Sequence, residues 1–334
     1  MKQRIEYIDL AKGFCISFVV LFHVFGNLSG DFIKIMNLFR MPLYFILSGL
    51  FFKTYDGFGG FMKKKTNKLV VPFLFCYFVT IIPSTILLGS ISSAKMSINE
   101  IIYNNYGRIN LGINGASWFL LCLFFINFFF YIIFLISNHN IKWITFFSCL
   151  CGFAGYFLNS CDLYLPMWMD TALTAMPFFL FGYYLRKYTN ILQSHFNYKD
   201  IVSGILSLLL LVCIYCINSF RGHETICYGD NLYDIGILSL YTGGFVGTYF
   251  ILIFAKYFGR IPMISYIGRY SIVVLLTHLL YIFIIRNILF QMEISQDSIL
   301  VNTSVFIITI LISIPTIWFC KKYLPFFFAQ KDLF

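Results

Sequence analysis

Apolar runs of about 20 residues recur along the whole chain, and no other feature restricts the fold so strongly. They lie near residues 8–28, 38–54, 69–91, 118–137 and 141–159, then 165–185, 200–220, 239–258, 270–290 and 299–320. Hydrophobic residues make up 60% of the 334 and charged residues 11%, which excludes an ordinary soluble domain. A bilayer core offers no water to backbone N–H and C=O groups, and these runs are too long and uniform for the alternating strands of a barrel. The expectation is an all-α fold, a polytopic membrane helix bundle of about ten transmembrane helices making one integral-membrane domain over residues 1–334. The sixth run holds Pro166, Pro177, Asp170 and Thr174, so a broken or re-entrant segment is expected there.

An even number of spans puts both termini on one side. With that side inside, the inner connections carry Lys63, Lys64, Lys65, Lys68, Arg186, Lys187, Lys256, Arg260, Arg269, Lys321 and Lys322, among others. The outer ones carry only Lys34, Arg40, Lys95, Arg108, Arg221 and Arg286. The bias of Lys and Arg toward the cytoplasm therefore places both termini there, in a multi-pass membrane protein. No signal peptide is expected, because the first apolar run lacks a small-residue cleavage pattern. The long outer connections, 92–117 and 221–238, are polar and could cover an outward-facing site.

Topology accounts for the net charge of +10, so no nucleic-acid partner is expected. The ten cysteines fall mostly within apolar runs and read as packing residues. Cys213 and Cys216 have CxxC spacing but lack a redox context, and no metal site is expected. The KKKTNK stretch, Lys63 to Lys68, reads as a topology anchor near anionic lipid, or as a contact for the phosphates of a cytosolic donor.

Ionisable side chains inside a membrane are costly and mark function by default. The stretch RIEYIDLAKGFCISFVVLFH, Arg4 to His23, places Asp9, Lys12 and His23 in or beside the first span. A helix turns about 1100° between Lys12 and His23, nearly three whole turns, so both side chains leave one face ~16 Å apart. Lys12 then stands near the entry to the membrane and His23 deeper, beyond the midpoint of a ~30 Å core.

The ordered polar residues resemble the acyltransferase-3 family of integral-membrane O-acyltransferases, particularly the branch that acetylates sugars such as fucose and cell-surface polysaccharides. The resemblance rests on Asp9, Lys12, Gly13 and His23, where the family has a basic residue followed by His; on FRMPLYFILSG, Phe39 to Gly49; and on KKKTNKLVVPF, Lys63 to Phe73. It continues with Trp118 in ASWFLLCLFF and with IGRYSIVVLLTHLL, which contains Tyr270, Ser271 and His278. Many members have Arg where this chain has Lys12, and Lys holds phosphate as a point charge without the bidentate fork. Better-known members carry a Glu after the fourth-span Trp motif, which is missing here, and an extracellular hydrolase-like domain, whose absence is expected.

The resemblance implies transfer of an acyl group, commonly acetyl from acetyl-CoA, to a carbohydrate hydroxyl. Acetyl-CoA is then a substrate, with no resident cofactor. The other partners expected are a glycan or lipid-linked sugar acceptor, membrane lipids and polysaccharide-assembly proteins. A hydroxyl attacking a thioester needs a base near neutral pH, or an acyl-accepting nucleophile, and His23 suits both roles. Lys12 either grips donor phosphates or snorkels to the interface, with Asp9 as a structural partner. Arg40 either anchors at the interface or orients a sugar. Trp118 either belongs to the aromatic belt or stacks on the sugar. Ser48 reads as close helix packing or substrate contact, and His278 as a buried residue or a second substrate contact. The rival reading is a transporter or flippase for a lipid-linked glycan, with the polar residues along its path. A third is a non-catalytic partner of a polysaccharide-assembly complex, which would tolerate loss of His23.

Overall fold

The computed structural model describes residues 5–26, 30–82, 108–189, 191, 196–223 and 225–334. The end of the expected third span, most of the outer connection from 92 with Lys95, and the loop residue His195 lie outside these residues. The chain is an all-α polytopic bundle, and eight helical segments among the described residues are long and apolar enough to cross a membrane.

The first is α1 (Glu6–Phe25), and the second combines α2 (Asp31–Asn37) with α3 (Arg40–Leu50). The others end or contain α6 (Trp118–Ile136), α7 (Ile141–Ser160), α10 (Tyr198–Phe220), α11 (Ile237–Phe258), α13 (Ser271–Gln291) and α14 (Ile299–Tyr323). Where the third run begins, α4 (Gly57–Lys65) and α5 (Val71–Cys76) are joined and followed by π-helical turns, Thr66–Val70 and Tyr77–Ile81. The KKKTNK stretch is thus helical, running from the end of α4 into its π turn. The sixth run is broken as expected, into α8 (Met169–Thr174) and α9 (Met176–Tyr188), with Pro177 starting α9. Ahead of α8, Met167 and Trp168 take left-handed backbone angles that few non-glycine residues adopt. A short helix, α12 (Pro262–Arg269), leads into α13.

Lipid tails are as apolar as leucine, so spans associate through close packing and not through hydrophobic burial alone. Two crossings show this. At α1 and α12, a Cβ on Gly13 would come 2.1 Å from the Ile264 carbonyl oxygen, and one on Gly268 would come 1.9 Å from that of Asp9. At α3 and α9, a Cβ on Gly49 would meet the Phe179 carbonyl oxygen at 1.9 Å, and one on Gly182 that of Ile46 at 1.8 Å. Any side chain at these four positions would force the backbones apart. In the most apolar window of each span, 72% of residues are buried in α2–α3 and 56% in α1, against 17% in α10 and 22% in α7. The helices carrying the candidate residues are therefore central, and α7 and α10 turn large apolar side chains outward.

Polar contacts gather at two ends of the bundle. At the end that holds both described termini, Glu6 and Asp9 pair with Arg260 and Arg269, Lys256 with Asp200, and Lys64 with Asp332. The tail after α14 lies on α4 and its π turn, where the Asn67 side chain donates to the Phe334 carbonyl at 3.0 Å and accepts from the Leu333 N–H at 2.6 Å.

At the far end the expected polar connection contains a two-stranded antiparallel hairpin, β1 (Ile226–Cys227) and β2 (Leu232–Tyr233). Its turn is tied to the bundle through the Gly229 carbonyl, which accepts from Arg108 Nη1 at 2.7 Å and from Trp168 Nε1 at 2.6 Å. Arg108 also pairs with Asp170, and both side chains are sealed from solvent.

Candidate active site

Because α1 is one uninterrupted helix, the expected face is realised. Lys12, Ile16 and Val19, spaced four and three residues apart, line a cavity of about 240 Å³ in the bundle centre. Its other walls include Tyr44, Ser48 and Phe51 of α3, Lys65 of α4, Phe119 of α6, and Ser271 and Leu275 of α13. His23 is the next residue in the same stripe, four positions beyond Val19 toward the far end.

Lys12 stands with its ammonium 5.4 Å from the centroid of the Phe51 ring, and its backbone carbonyl accepts from Tyr44 Oη at 2.9 Å. Lys65 enters the same cavity from α4. It precedes the apolar run that starts at residue 69, and burial pushes its pKa down to about 8. Ser48 lines the cavity too, and its hydroxyl accepts from Asn127 Nδ2 at 3.1 Å, leaving its own proton to donate.

Beyond the cavity, the His23 and His278 rings lie 5.3 Å apart, centroid to centroid, and tilted by 46°. His278 is fully buried in α13, and its Nδ1 lies 2.8 Å from the Val274 carbonyl oxygen. A carbonyl can only accept, so Nδ1 carries the proton and the neutral ring has its lone pair on Nε2. That Nε2 is buried and has no hydrogen-bond partner among the described residues. On the other side of His23 the Phe22 ring is 5.1 Å away, and the Arg40 guanidinium lies over that ring at 3.7 Å. Arg40 Nη1 is likewise buried and without a partner among the described residues. The site therefore offers one unused acceptor and one unused donor around a partly exposed imidazole.

The other candidates stand apart from this centre. Asp9 accepts from Arg269 Nε at 3.3 Å, so its structural partner on α12 comes from the other end of the sequence. Trp118 packs at the far end against the hairpin turn, where a Cβ on Gly229 would come 3.0 Å from its Nε1; its neighbour Phe119 is the residue that reaches the cavity. Among the residues that sequence reasoning missed are Tyr44, Asn127 and the inward turn of Lys65. Asn127 carries a legible signal, a lone amide in the apolar fourth run.

The sequence profile described as an acyltransferase domain, the third of that kind, matches residues 5–318, from the start of α1 into α14. The chain belongs to the acyltransferase-3 family. It is accordingly a membrane acyltransferase, and the match spans both histidines and every helix that lines the cavity. Among curated proteins and solved structures none matches significantly.

Proposed function

We propose that this acyltransferase moves an acetyl group from cytosolic acetyl-CoA to a hydroxyl of a cell-surface or lipid-linked glycan, with His23 as general base. The observation that carries the reading is the continuous α1 stripe, with a cation in the cavity wall at Lys12 and an imidazole four residues beyond Val19, past the cavity's far end. CoA's phosphates sit at the terminal end, close to Lys12 and Lys65, and its thioester arm lies along the cavity. A space of about 240 Å³ takes an extended arm but not the nucleotide. The acceptor hydroxyl comes from the far end and gives its proton to His23 as its oxygen attacks the thioester carbonyl. Arg40 Nη1 is available there to the sugar or to the developing oxyanion. The charge bias supports the reading that the terminal end faces the cytoplasm, and the membrane proposed is a bacterial inner membrane.

Purified protein incubated with acetyl-labelled CoA and candidate glycans tests this reading. Label should appear on the glycan and fall about 10²- to 10⁴-fold in His23→Ala, the usual contribution of a positioned base. Lys12→Ala should raise the donor KM about tenfold with kcat little changed, the scale of one charge-assisted contact. Glycan crossing a vesicle membrane without label transfer would replace the enzyme reading with a transporter.

A further inference from the structure

We propose that His278 is a positioning residue for the reaction: its Nε2 accepts the spare N–H of His23 and so fixes the tautomer in which His23 faces the acceptor hydroxyl as a base. The inference rests on the reading of His23 as the base and adds what sets that base.

A neutral imidazole has one N–H and one lone pair, and which nitrogen carries which is decided by the bond the N–H makes. His278 has that choice made for it. Its own proton is committed to the Val274 carbonyl one turn earlier in α13, at 2.8 Å. Its lone pair therefore has one location, Nε2, which is buried and unmatched among the described residues. A buried acceptor left unpaired is destabilising, so the fold gains when a donor reaches it. The His23 ring is next to it. Two imidazoles joined by one N–H···N bond of about 2.9 Å have centroids about 5 Å apart, and the observed separation is 5.3 Å. Turning the partly exposed His23 ring so that an N–H faces Nε2 makes the bond. The backbones that carry the two rings are held together close by, because Arg286 of α13 donates to the Val24 carbonyl, next to His23, at 2.8 Å.

The step balances with no proton passing to His278. The acceptor O–H bond breaks and its proton goes to the free nitrogen of His23. The oxygen forms a bond to the thioester carbon, the C–S bond breaks, and the departing sulfur takes that proton from the imidazolium. Throughout, the other His23 N–H stays donated to His278 Nε2, and this bond is strongest when His23 is charged. The arrangement does with a neutral acceptor what a carboxylate does behind the histidine of a hydrolytic triad.

The test compares His278→Ala, His278→Gln and the double variant His23→Ala/His278→Ala in the full-length protein, with label transfer as readout. A Gln side-chain oxygen can stand near the position of Nε2 and accept, but it cannot act as a base. His278→Ala should lower kcat about 10- to 100-fold with both KM values held, and His278→Gln should recover a large part of that loss. The double variant should be no slower than His23→Ala alone. If His278→Gln is as inactive as His278→Ala while still folded by melting temperature, or if the two alanine effects multiply, the positioning role is overturned. Full activity in His23→Ala would instead overturn the reading of His23 as the base.

Discussion

Arg40 and Arg108 both bring guanidinium nitrogens into the far end of the bundle, and they differ at the outer edge: Arg108 has both Nη groups paired, and Arg40 leaves Nη1 unmatched among the described residues. Arg108 gives Nη2 to Asp170 and Nη1 to the Gly229 carbonyl, and lies 5.0 Å from the Tyr164 ring and 5.6 Å from that of Trp168. Arg40 lies over the face of Phe22, and its Nη1 is unmatched among the described residues. Burial is common to both, so burial does not separate structure from chemistry. The Nη edge does: Arg108 spends both Nη groups on the protein, whereas Arg40 Nη1 is left open, and a native fold rarely leaves such a group unmatched without a use.

The comparison can be broken at several points. Arg108→Ala strands the Asp170 carboxylate in a site with no solvent, at a cost of about 3–5 kcal/mol, and should be read as a fall in melting temperature and in recovered monodisperse protein. Arg40→Ala should leave melting almost unchanged while kcat falls about 10²-fold, the scale of one lost oxyanion donor. If Arg40→Ala unfolds the protein as Arg108→Ala does, the two arginines are alike and the distinction fails.

A smaller effect concerns the terminal end. The pKa of Lys65 is lowered to about 8 because burial disfavours the ammonium. As pH rises through about 8 the folded protein loses this charge, while an unfolded lysine keeps it to about 10. The unfolded state then binds more protons, so in that window folding becomes more favourable with rising pH as phosphate binding weakens. The donor KM should rise several-fold between pH 7 and 9, and Lys65→Arg should flatten the profile. A profile that is the same in Lys65→Arg would remove Lys65 from the donor contact.

What the sequence disclosed follows from the physics that each feature obeys. The spans are legible because hydropathy is a local property, and the Lys12 to His23 stripe because helix geometry is arithmetic once the helix is granted. The break at Pro177 is legible for the same local reason. The meeting of His23 with His278 is not, since it joins residues 255 positions apart through the docking of α13 on α1. The inward turn of Lys65 escapes because the π turn between it and the apolar run adds a residue, shifting the run's face relative to Lys65 by about 100°, which no regular periodicity anticipates. Asp170 stands out as a polar residue in an apolar run, but its partner Arg108 sits in a connection whose course the sequence leaves open.

Gly13 is the residue after Lys12, and its contact with α12 leaves no room for even a methyl group. Helices that touch backbone to backbone cannot slide past each other without first separating, so α1 acts as a fixed rail with a station at each end. On the proposed reading it is the cargo that travels between the stations, the donor's flexible arm spanning the distance while the protein holds still. A rocking bundle would need a looser hinge at this place.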